Sequence, residues 1–442
     1  MTIKYDVIII GAGPAGLMAA KTAAEKNLSV LLIDRKSRIP EIKRTCCASF
    51  YLEADYMGET TQFEEGKLIF PRNGFTVNYS GRSWPIQEKY GFSPGVSKWH
   101  MVRFESEDYS KDTPLSVVLD KEALLEGLLN EVEKLGVKVM NGTFARKIEN
   151  TEEGVRADIT AGDKSLVVEG KKGILADGVN SRMVESIGLN LGRKVPWPRA
   201  MFVEYVMEGV DNPFPNAVLS FAGKKACKSG DIFVWPNSKG LPGILAFDTV
   251  SATPFEYPTK AINYFIHDSP YASTWFKHAR VVERTAGSLL PRAAIPVPYI
   301  RNVLAIGDAA AFIEVENQGA MMCGFQAANA VHEELKGSGG FERYVEWWKR
   351  SFEFNHPEVL KAMAVLPTFK AGIYSDEDID YLFGLVDGEE LYGTCSQYRS
   401  GIAIWKGILN HSDTIKREKP VLYDKVKGML DLDLDAIWKP AS

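Results

Sequence analysis

The sequence is poor in cysteine, with five among its 442 residues. Cys46 and Cys47 are adjacent and the other three are scattered, so the chain contains no Cys-x-x-Cys pair. This spacing argues against a disulfide scaffold and gives no support for a zinc site or an iron–sulfur cluster. The six histidines are dispersed as well, and we expect no bound metal.

The sequence also lacks an excess of basic residues and long uncharged apolar runs. Its formal net charge is −5 and no long basic stretch occurs, which argues against a nucleic-acid partner. No apolar run reaches the roughly 18 residues that cross a bilayer, and no signal-peptide pattern opens the chain. We therefore expect a cytoplasmic protein, with peripheral contact to a membrane left open.

The patterning that is present is typical of an α/β protein. Hydrophobic residues make up 45% and charged residues 25% of the chain, as in ordinary globular domains. Residues 5–10 form a short apolar run rich in Ile and Val, which predicts a buried strand. Residues 14–25 predict a helix with small residues on its inner face, and residues 28–34 predict a second parallel strand. Together these segments predict one βαβ unit.

A glycine motif, Gly11-x-Gly13-x-x-Gly16, joins the first strand to the helix. The first glycine permits a tight turn, the second lets a pyrophosphate approach the backbone, and the third lets helix and strand pack closely. The start of the helix offers free N–H groups and a positive dipole to the phosphates. Asp34 ends the second strand, where a carboxylate can hold ribose hydroxyls. The motif in this setting predicts a dinucleotide site.

A second glycine–acid signature far downstream favours FAD over NAD. Residues 302–306 predict a buried strand followed by Gly307-Asp308, which places a carboxylate at the carboxyl edge of the sheet. A helix predicted from about residue 319 to residue 335 would direct its positive end at the ligand. That end would stabilise negative charge on a reduced flavin at N1 and O2. A dehydrogenase would carry no such second signature.

Three segments occur in the order seen in FAD-dependent proteins of the glutathione reductase superfamily. They are the Gly11 motif, residues 176–181 (Ala-Asp-Gly-Val-Asn-Ser) and residues 307–310 (Gly-Asp-Ala-Ala). The chain resembles the branch of that superfamily that contains p-hydroxybenzoate hydroxylase. Within this branch it is most similar to the geranylgeranyl reductases, and the resemblance covers most of residues 1–340.

Three further features favour the geranylgeranyl reductase subgroup. A cysteine follows a basic pair in residues 43–47, and residues 232–236 resemble the family's aromatic strand that ends in proline. Residues 287–291 (Gly-Ser-Leu-Leu-Pro) precede the final strand of the nucleotide-binding fold, as the family's Gly-x-x-x-Pro does.

The resemblance implies a set of non-covalent FAD contacts. Arg44 and the two cysteines match the stretch beside the isoalloxazine, Lys121 stands where the family usually has an arginine, and the backbone of Ala145 matches an adenine contact. The residues implied to bind FAD are Gly11, Gly13, Ala15, Gly16, Asp34, Arg35, Arg44, Cys46, Cys47, Lys121, Ala145, Asp177, Gly178, Gly307, Asp308, Gly319, Ala320 and Met321.

The implied contacts at the second signature concern the ribityl chain and the flavin ring. Asp308 matches the carboxylate that holds the ribityl-phosphate region, and Ala320 with Met321 matches a Gly-Ile pair whose backbone meets the flavin. The family's loop before that pair has a proline and several glycines, whereas here Val315 takes the proline position and Gly319 is the one glycine left. This departure leaves the choice of a polyprenyl substrate open.

Candidate catalytic residues are Cys46, Cys47 and Glu316. A thiol near the flavin could tune it or supply a proton, although a small buried hydrophobe would explain either cysteine equally well. Glu314 and Glu316 could protonate a substrate carbanion or bind a polar group. As solvated loop charges they would need no role.

The patterning divides the chain into three regions. Residues 1–198 with 288–340 predict a discontinuous Rossmann-type FAD-binding domain in which residues 41–115 look irregular. Residues 199–287 run strand after strand and predict an inserted antiparallel-sheet substrate domain. Residues 341–442 predict a mainly helical C-terminal region.

Three functions fit this organisation. The leading hypothesis is a reductase that transfers hydride from flavin N5 to a carbon–carbon double bond of a prenyl or other apolar lipid substrate. The alternatives are an aromatic monooxygenase and a protein similar to electron-transfer flavoprotein:quinone oxidoreductases without an iron–sulfur cluster. The Trp-x-Trp-x-Ile-Pro signature of related halogenases is absent. No second complete glycine motif marks an NAD(P)H domain, so the electron donor is NAD(P)H or a reduced ferredoxin-type carrier protein.

Overall fold

The structure is a computed structural model of the chain. It describes residues 4–42, 49–51, 62–64, 66–70, 74–78, 83–86, 90–91, 101–104, 116–195, 199–215, 217–221, 223–228, 231–237, 246–253, 257–312, 315–358, 361, 374–387, 389 and 400–433. In chain order the strands are β1 (Lys4–Ile10), β2 (Val30–Ile33), β3 (Ser49–Tyr51), β4 (Gln62–Glu64), β5 (Lys67–Phe70), β6 (Phe75–Asn78), β7 (Ser83–Ile86), β8 (Tyr90–Gly91), β9 (Met101–Phe104), β10 (Ser116–Leu119), β11 (Lys138–Met140), β12 (Thr143–Asn150), β13 (Val155–Ala161), β14 (Lys164–Leu175), β15 (Ala200–Glu208), β16 (Val218–Phe221), β17 (Asp231–Asn237), β18 (Ala246–Thr253), β19 (Arg280–Leu289), β20 (Tyr299–Ile300) and β21 (Val303–Ala305).

Helices of very different length separate these strands. In chain order they are α1 (Pro14–Glu25), α2 (Lys121–Lys134), α3 (Arg182–Ser186), α4 (Lys224–Cys227), α5 (Pro258–His267), α6 (Glu316–Leu335), α7 (Gly340–Ser351), α8 (Asp376–Leu385), α9 (Ser400–Leu409), α10 (Ser412–Glu418) and α11 (Pro420–Val426). Short 3-10 turns lie at Ser273–Phe276, Gly307–Ala309, Glu353–Asn355 and Lys427–Met429.

A parallel layer forms the centre of the N-terminal region. Its strand order is β11–β2–β1–β14–β21, and all four neighbouring pairs are parallel. Val7, Ile8 and Ile9 have no solvent exposure, and all four residues of β2 are buried. Such continuous apolar runs are expected because a parallel sheet is covered on both faces. The predicted βαβ unit and the Rossmann-type α/β fold are confirmed.

The first half of β14 extends this layer into antiparallel structure. It pairs with β13, which pairs with β12, and the pairing register shifts between Ala145 and Lys147. Strands β12 and β13 are joined by the short connection of residues 151–154.

Helices α1 and α6 cross closely over the parallel layer. A side chain at Gly324 would place its Cβ 2.2 Å from the carbonyl oxygen of Ala15 and 2.8 Å from the nitrogen of Ala19. Glycine is therefore required where the two helices touch. The small residues predicted on the inner face of α1 are buried in this contact region.

A second, seven-stranded sheet is antiparallel and has the order β19–β15–β18–β17–β16–β9–β8. Helix α5 packs on one face, where the rings of Phe221 and Phe265 lie 4.8 Å apart and the Tyr205 hydroxyl donates to the side-chain oxygen of Asn263 over 3.4 Å. This sheet includes β8 and β9, which precede the predicted substrate region of residues 199–287. The domain limits given by the sequence stay a prediction.

Two sequence-based expectations about local structure were wrong. Residues 41–115 were expected to be irregular, yet strands β3 to β9 lie within them. Strands of two to four residues are too short to show clear alternation. Helix α5 was missed as well, because it is only ten residues long and stands among strands.

The described part of residues 341–433 is mainly helical, as predicted. Trp348 and Trp405 are almost completely buried, and the Trp348 indole N–H donates to the carbonyl of Ile295 over 2.9 Å. Trp438 lies outside the described residues. Among the helices that the structure describes, none combines the length and apolar character needed to cross a membrane.

Candidate functional site

The carboxyl ends of the five parallel strands meet in one row. The register aligns Met140 with Ile33, Ile33 with Ile10, Ile10 with Leu175, and Leu175 with Ala305. Each strand therefore ends at the same edge, and its next residues leave the sheet side by side. Ligands bind outside this edge in open α/β sheets.

The three motifs found in the sequence, and Asp34 with them, all follow strands in that row. Gly11 follows β1, Asp34 follows β2, Asp177 follows β14 after one residue, and Gly307-Asp308 follows β21 after one residue. Backbone hydrogen bonds continue the alignment, since the Gly11 N–H donates to the carbonyl of Ile33 over 2.8 Å. Residues that are almost three hundred positions apart thus form a single site.

The three glycines of the first motif differ in the space around them. Gly11 has φ +104°, and a Cβ there would lie 2.2 Å from the carbonyl oxygen of Ala176. A Cβ on Gly16 would lie 1.8 Å from the carbonyl oxygen of Gly11, whereas a Cβ on Gly13 would meet nothing within 4 Å. The turn and packing roles predicted for Gly11 and Gly16 are confirmed. The open side of Gly13 fits a pyrophosphate, and that contact stays a prediction.

The start of α1 is built to receive an anion. Gly13 is the N-cap residue and makes no side-chain capping hydrogen bond, and Pro14 occupies the first turn. Because the first-turn N–H groups of a helix have no partner within the helix, they remain available to phosphate oxygens. No acidic side chain lies in that turn to compete.

Asp34 lies under the glycine loop and is buried, with 8% of its surface exposed. Its Oδ2 accepts a hydrogen bond from the Ala12 N–H over 2.6 Å, and its Oδ1 accepts one from the Lys36 N–H over 2.7 Å. The carboxylate therefore ties the end of β2 to the loop after β1. This position suits the predicted contact with ribose, while the neighbouring Arg35 is exposed.

Asp177 is a half-buried carboxyl group at the start of α3. Its Oδ1 accepts a hydrogen bond from the Ser181 hydroxyl over 2.6 Å, and Ser181 also caps α3 by accepting from the Val184 N–H. Burial raises the pKa of the Asp177 carboxyl, which hydrogen bonds from Ser181 and backbone N–H groups offset only partly. Sequence reasoning missed Ser181, although a serine before a short helix is a recognisable N-cap signal.

Gly178 and Gly307 keep the backbone open beside these carboxylates. Gly178 has φ +84° and nothing within 4 Å of a built Cβ, and Gly307 has φ +59° with a built Cβ 3.3 Å from the Ala15 Cβ. Both conformations favour glycine. Asp308 follows directly, and its Oδ1 accepts a hydrogen bond from the Val315 N–H over 2.9 Å.

Helix α6 begins at Glu316, three residues before the predicted start. Val315 is the N-cap residue and makes no side-chain capping bond, so the sequence carries no polar signal for the true start. Gly319, Ala320 and Met321 therefore lie inside the helix and are buried. The free N–H groups of a helix belong to its first turn, which here begins with Glu316. Glu316 lies in the helix and not in the loop where it was expected.

The remaining predicted residues are spread along the chain. Lys121 is the first residue of α2, directly after its N-cap Asp120, and Ala145 lies buried in β12. Arg44, Cys46, Cys47 and Glu314 lie outside the described residues. Their predicted roles stay predictions.

The seven-stranded sheet contributes an aromatic face. Ile232 and Val234 of β17 are fully buried on the α5 side, because Ile232 pairs with Phe221 in the adjacent strand. Phe233 and Trp235 alternate to the opposite face, are half-buried, and have ring centroids 6.3 Å apart. The Trp235 indole N–H has no hydrogen-bond partner among the described residues.

Comparisons with known proteins agree with this architecture. The family model for pyridine nucleotide-disulphide oxidoreductases matches residues 5–68. Digeranylgeranylglycerophospholipid reductase 1 of Methanosphaera stadtmanae is 26% identical over 393 residues, which cover 86% of this chain and 87% of the relative. The digeranylgeranylglycerophospholipid reductase of Methanocaldococcus jannaschii is 25% identical over 393 residues, which cover 88% and 92%.

A solved structure shares the fold over nearly the whole chain. The geranylgeranyl bacteriochlorophyll reductase-like protein of Thermoplasma acidophilum has a TM-score of 0.68 at 18% identity and covers 96% of this chain and 99% of its own. Together with the glycine loop and the acidic residues at the sheet edge, these similarities define an FAD-dependent oxidoreductase. Over most of its length the chain is similar to the geranylgeranyl reductases.

Proposed function

We propose that this enzyme reduces carbon–carbon double bonds in a prenyl or other apolar lipid. The observation that carries the proposal is the aromatic face of β17, where Phe233 and Trp235 stand half-buried on the side opposite α5. Large aromatic surfaces bind apolar chains well. The Trp235 indole N–H, which has no hydrogen-bond partner among the described residues, would donate to a polar oxygen of such a lipid. The printed names of the curated relatives, which are reductases of a digeranylgeranyl lipid, support the same substrate class.

The sheet edge would hold the cofactor. The α1 N-terminus and the open side of Gly13 would receive the pyrophosphate, Asp34 the ribose, and Asp308 the ribityl-phosphate region. When bound, FAD supplies the hydride from N5, with electrons from NAD(P)H or a reduced ferredoxin-type protein. The protein's own task is to orient the alkene and exclude water.

Reduction of an alkene also needs a proton for the second carbon. Glu316 is a candidate, because it stands in the first turn of α6, next to the loop that carries Asp308. The thiols of Cys46 and Cys47 are the other candidates from the sequence. A substrate drawn from a bilayer would require peripheral membrane contact by an otherwise cytoplasmic protein.

The test determines which compounds reoxidise the flavin of the reduced protein. The holoenzyme is reduced with dithionite without oxygen and then mixed with digeranylgeranylglycerophospholipid, shorter prenyl compounds, quinones or enoyl compounds. We expect the prenyl compounds to reoxidise the flavin and to gain two hydrogen atoms per double bond by mass analysis. Reoxidation by quinones alone would contradict the proposal, and so would a product that gains one oxygen atom in air.

A further inference from the structure

Arg193 binds the loop that carries Asp308. Its Nη2 donates to the carbonyl of Ala311 over 2.5 Å, and its Nη1 donates to the carbonyl of Ala309 over 3.2 Å. Its Nε donates to the carbonyl of Ala293, in a segment that precedes β20. One planar guanidinium group thus binds two segments that lie 100 and 118 residues further along the chain.

Backbone hydrogen bonds around Arg193 complete this junction. The Ala293 N–H donates to the carbonyl of Lys194 over 2.8 Å, and the Ile295 N–H donates to the carbonyl of Ala310 over 2.9 Å. The side-chain oxygen of Asn190 accepts from Arg193 Nη1 over 3.0 Å. The three residues that follow Asp308 are therefore held by a network centred on one side chain.

The charge of Arg193 is compensated by the dipoles of neutral groups. Among the residues that the structure describes, no carboxylate forms an ion pair with it, and its guanidinium contacts three carbonyls and one amide oxygen. Burial and the nearby charge of Arg292 lower the pKa of Arg193 to about 10, so the group stays charged at neutral pH. A half-buried cation that is balanced only by dipoles exerts a positive potential on its surroundings.

We propose that Arg193 is the positioning residue of the loop of residues 307–311, setting Asp308 for FAD and favouring the reduced flavin by its charge. A two-electron reduced flavin carries more negative charge than the oxidised form, so a cation behind the loop stabilises it more. The proposal rests on FAD binding and not on the substrate proposed above, and its test therefore uses no substrate.

Two substitutions separate the hydrogen bonds of Arg193 from its charge. R193K keeps the charge but loses the planar fork that reaches three carbonyls. We expect it to bind FAD about tenfold more weakly, with an unchanged flavin potential. R193M loses both the fork and the charge. We expect at least roughly tenfold weaker FAD binding and a lower potential. A tenfold loss of preference for reduced over oxidised FAD corresponds to about 30 mV.

R292M is the matched control, because Arg292 is a nearby cation without a hydrogen bond to the loop among the described contacts. We expect it to bind FAD within about twofold of the unaltered protein. The measurements are the FAD dissociation constant of the reconstituted full chain and the midpoint potential of its bound flavin.

Two results would overturn the proposal. R193M could bind FAD as the unaltered protein does, or it could bind FAD weakly with an unchanged potential, which would leave Arg193 a merely structural residue. If R193M does not fold, R193K provides the test. FAD affinity of R193K equal to that of the unaltered protein would show that the hydrogen bonds of the guanidinium group do not position the loop.

Discussion

Two regions of the molecule offer binding surfaces of different kinds. At the carboxyl edge of the parallel sheet the surface is formed mostly by backbone groups, whereas on the seven-stranded sheet it is formed by side chains. The edge offers open glycines, an uncapped helix start and carboxylates that are held by N–H groups. The far face of β17 offers two aromatic rings and one indole N–H. The first region suits a cofactor of fixed shape, while the second, under the function proposed above, would set the choice of substrate through a few side chains.

Substitution of the loop glycines is expected to have the largest effect on the sheet edge. G16A places a methyl group 1.8 Å from the carbonyl oxygen of Gly11, so the loop or α1 must move. We expect the free energy of unfolding of the apoprotein to fall by about 3 kcal/mol or more, with loss of FAD. Denaturant unfolding and FAD titration measure the two effects.

G13A is the matched variant, because its methyl group would meet nothing within 4 Å and its φ of −78° suits alanine. We expect apoprotein stability within roughly 0.5 kcal/mol of the unaltered protein but FAD binding at least tenfold weaker. FAD affinity in G13A equal to that of the unaltered protein would show that Gly13 does not serve the ligand.

Asp34 tests whether a carboxylate can be replaced at the edge. D34N keeps the shape of the side chain but replaces one of its two carboxylate oxygens with an NH2 group. Each of those oxygens accepts a hydrogen bond from a backbone N–H in the unaltered protein. One of those donors loses its acceptor, and the ribose loses a charged partner. We expect FAD binding to weaken roughly 10- to 100-fold, measured by titration of the apoprotein. Unchanged affinity would mean that Asp34 only supports the loop.

The aromatic face should affect the substrate and leave the cofactor alone. W235L removes the half-buried ring and its N–H, and we expect the KM for a prenyl lipid to rise about tenfold with unchanged FAD affinity. I232V is the control, since Ile232 lies on the same strand but faces α5. A similar rise in KM for both variants would argue against substrate binding on this face.

The smallest effect concerns the pH dependence of stability. Burial raises the pKa of Asp177 above its ordinary value of 3.8 in the folded protein, so the folded state holds this proton more tightly than the unfolded state does. The contribution of this carboxyl group to the free energy of unfolding is complete below pH 3.8. It is lost as the pH rises through the pKa of the group in the folded protein. D177N should flatten the curve of melting temperature against pH in this interval. An unaltered curve would contradict the assignment.

The parallel edge could be predicted largely from the sequence. Its signals are local, because Gly11, Gly16 and Asp34 belong to one βαβ unit, and Gly307-Asp308 follows a recognisable strand. The carboxyl ends of parallel strands generally meet at one edge of a sheet, so the alignment of these residues could be predicted without any tertiary contact.

The parts that escaped prediction depend on contacts between distant segments. The carbonyl partners of Arg193 lie 100 to 118 residues further along the chain, and no local pattern marks them. Gly324 looks like an ordinary glycine within a helix until α1 lies across it. The early start of α6 was hidden because Val315 carries no capping side chain.

The most direct test of the central claim is a single turnover without oxygen. Reduced holoenzyme is mixed with digeranylgeranylglycerophospholipid, and the recovery of oxidised flavin absorbance is followed together with the mass of the lipid. The account predicts one saturated double bond for each flavin that is reoxidised. Reoxidation without hydrogen gain in the lipid, or no reoxidation until air is admitted, would contradict it.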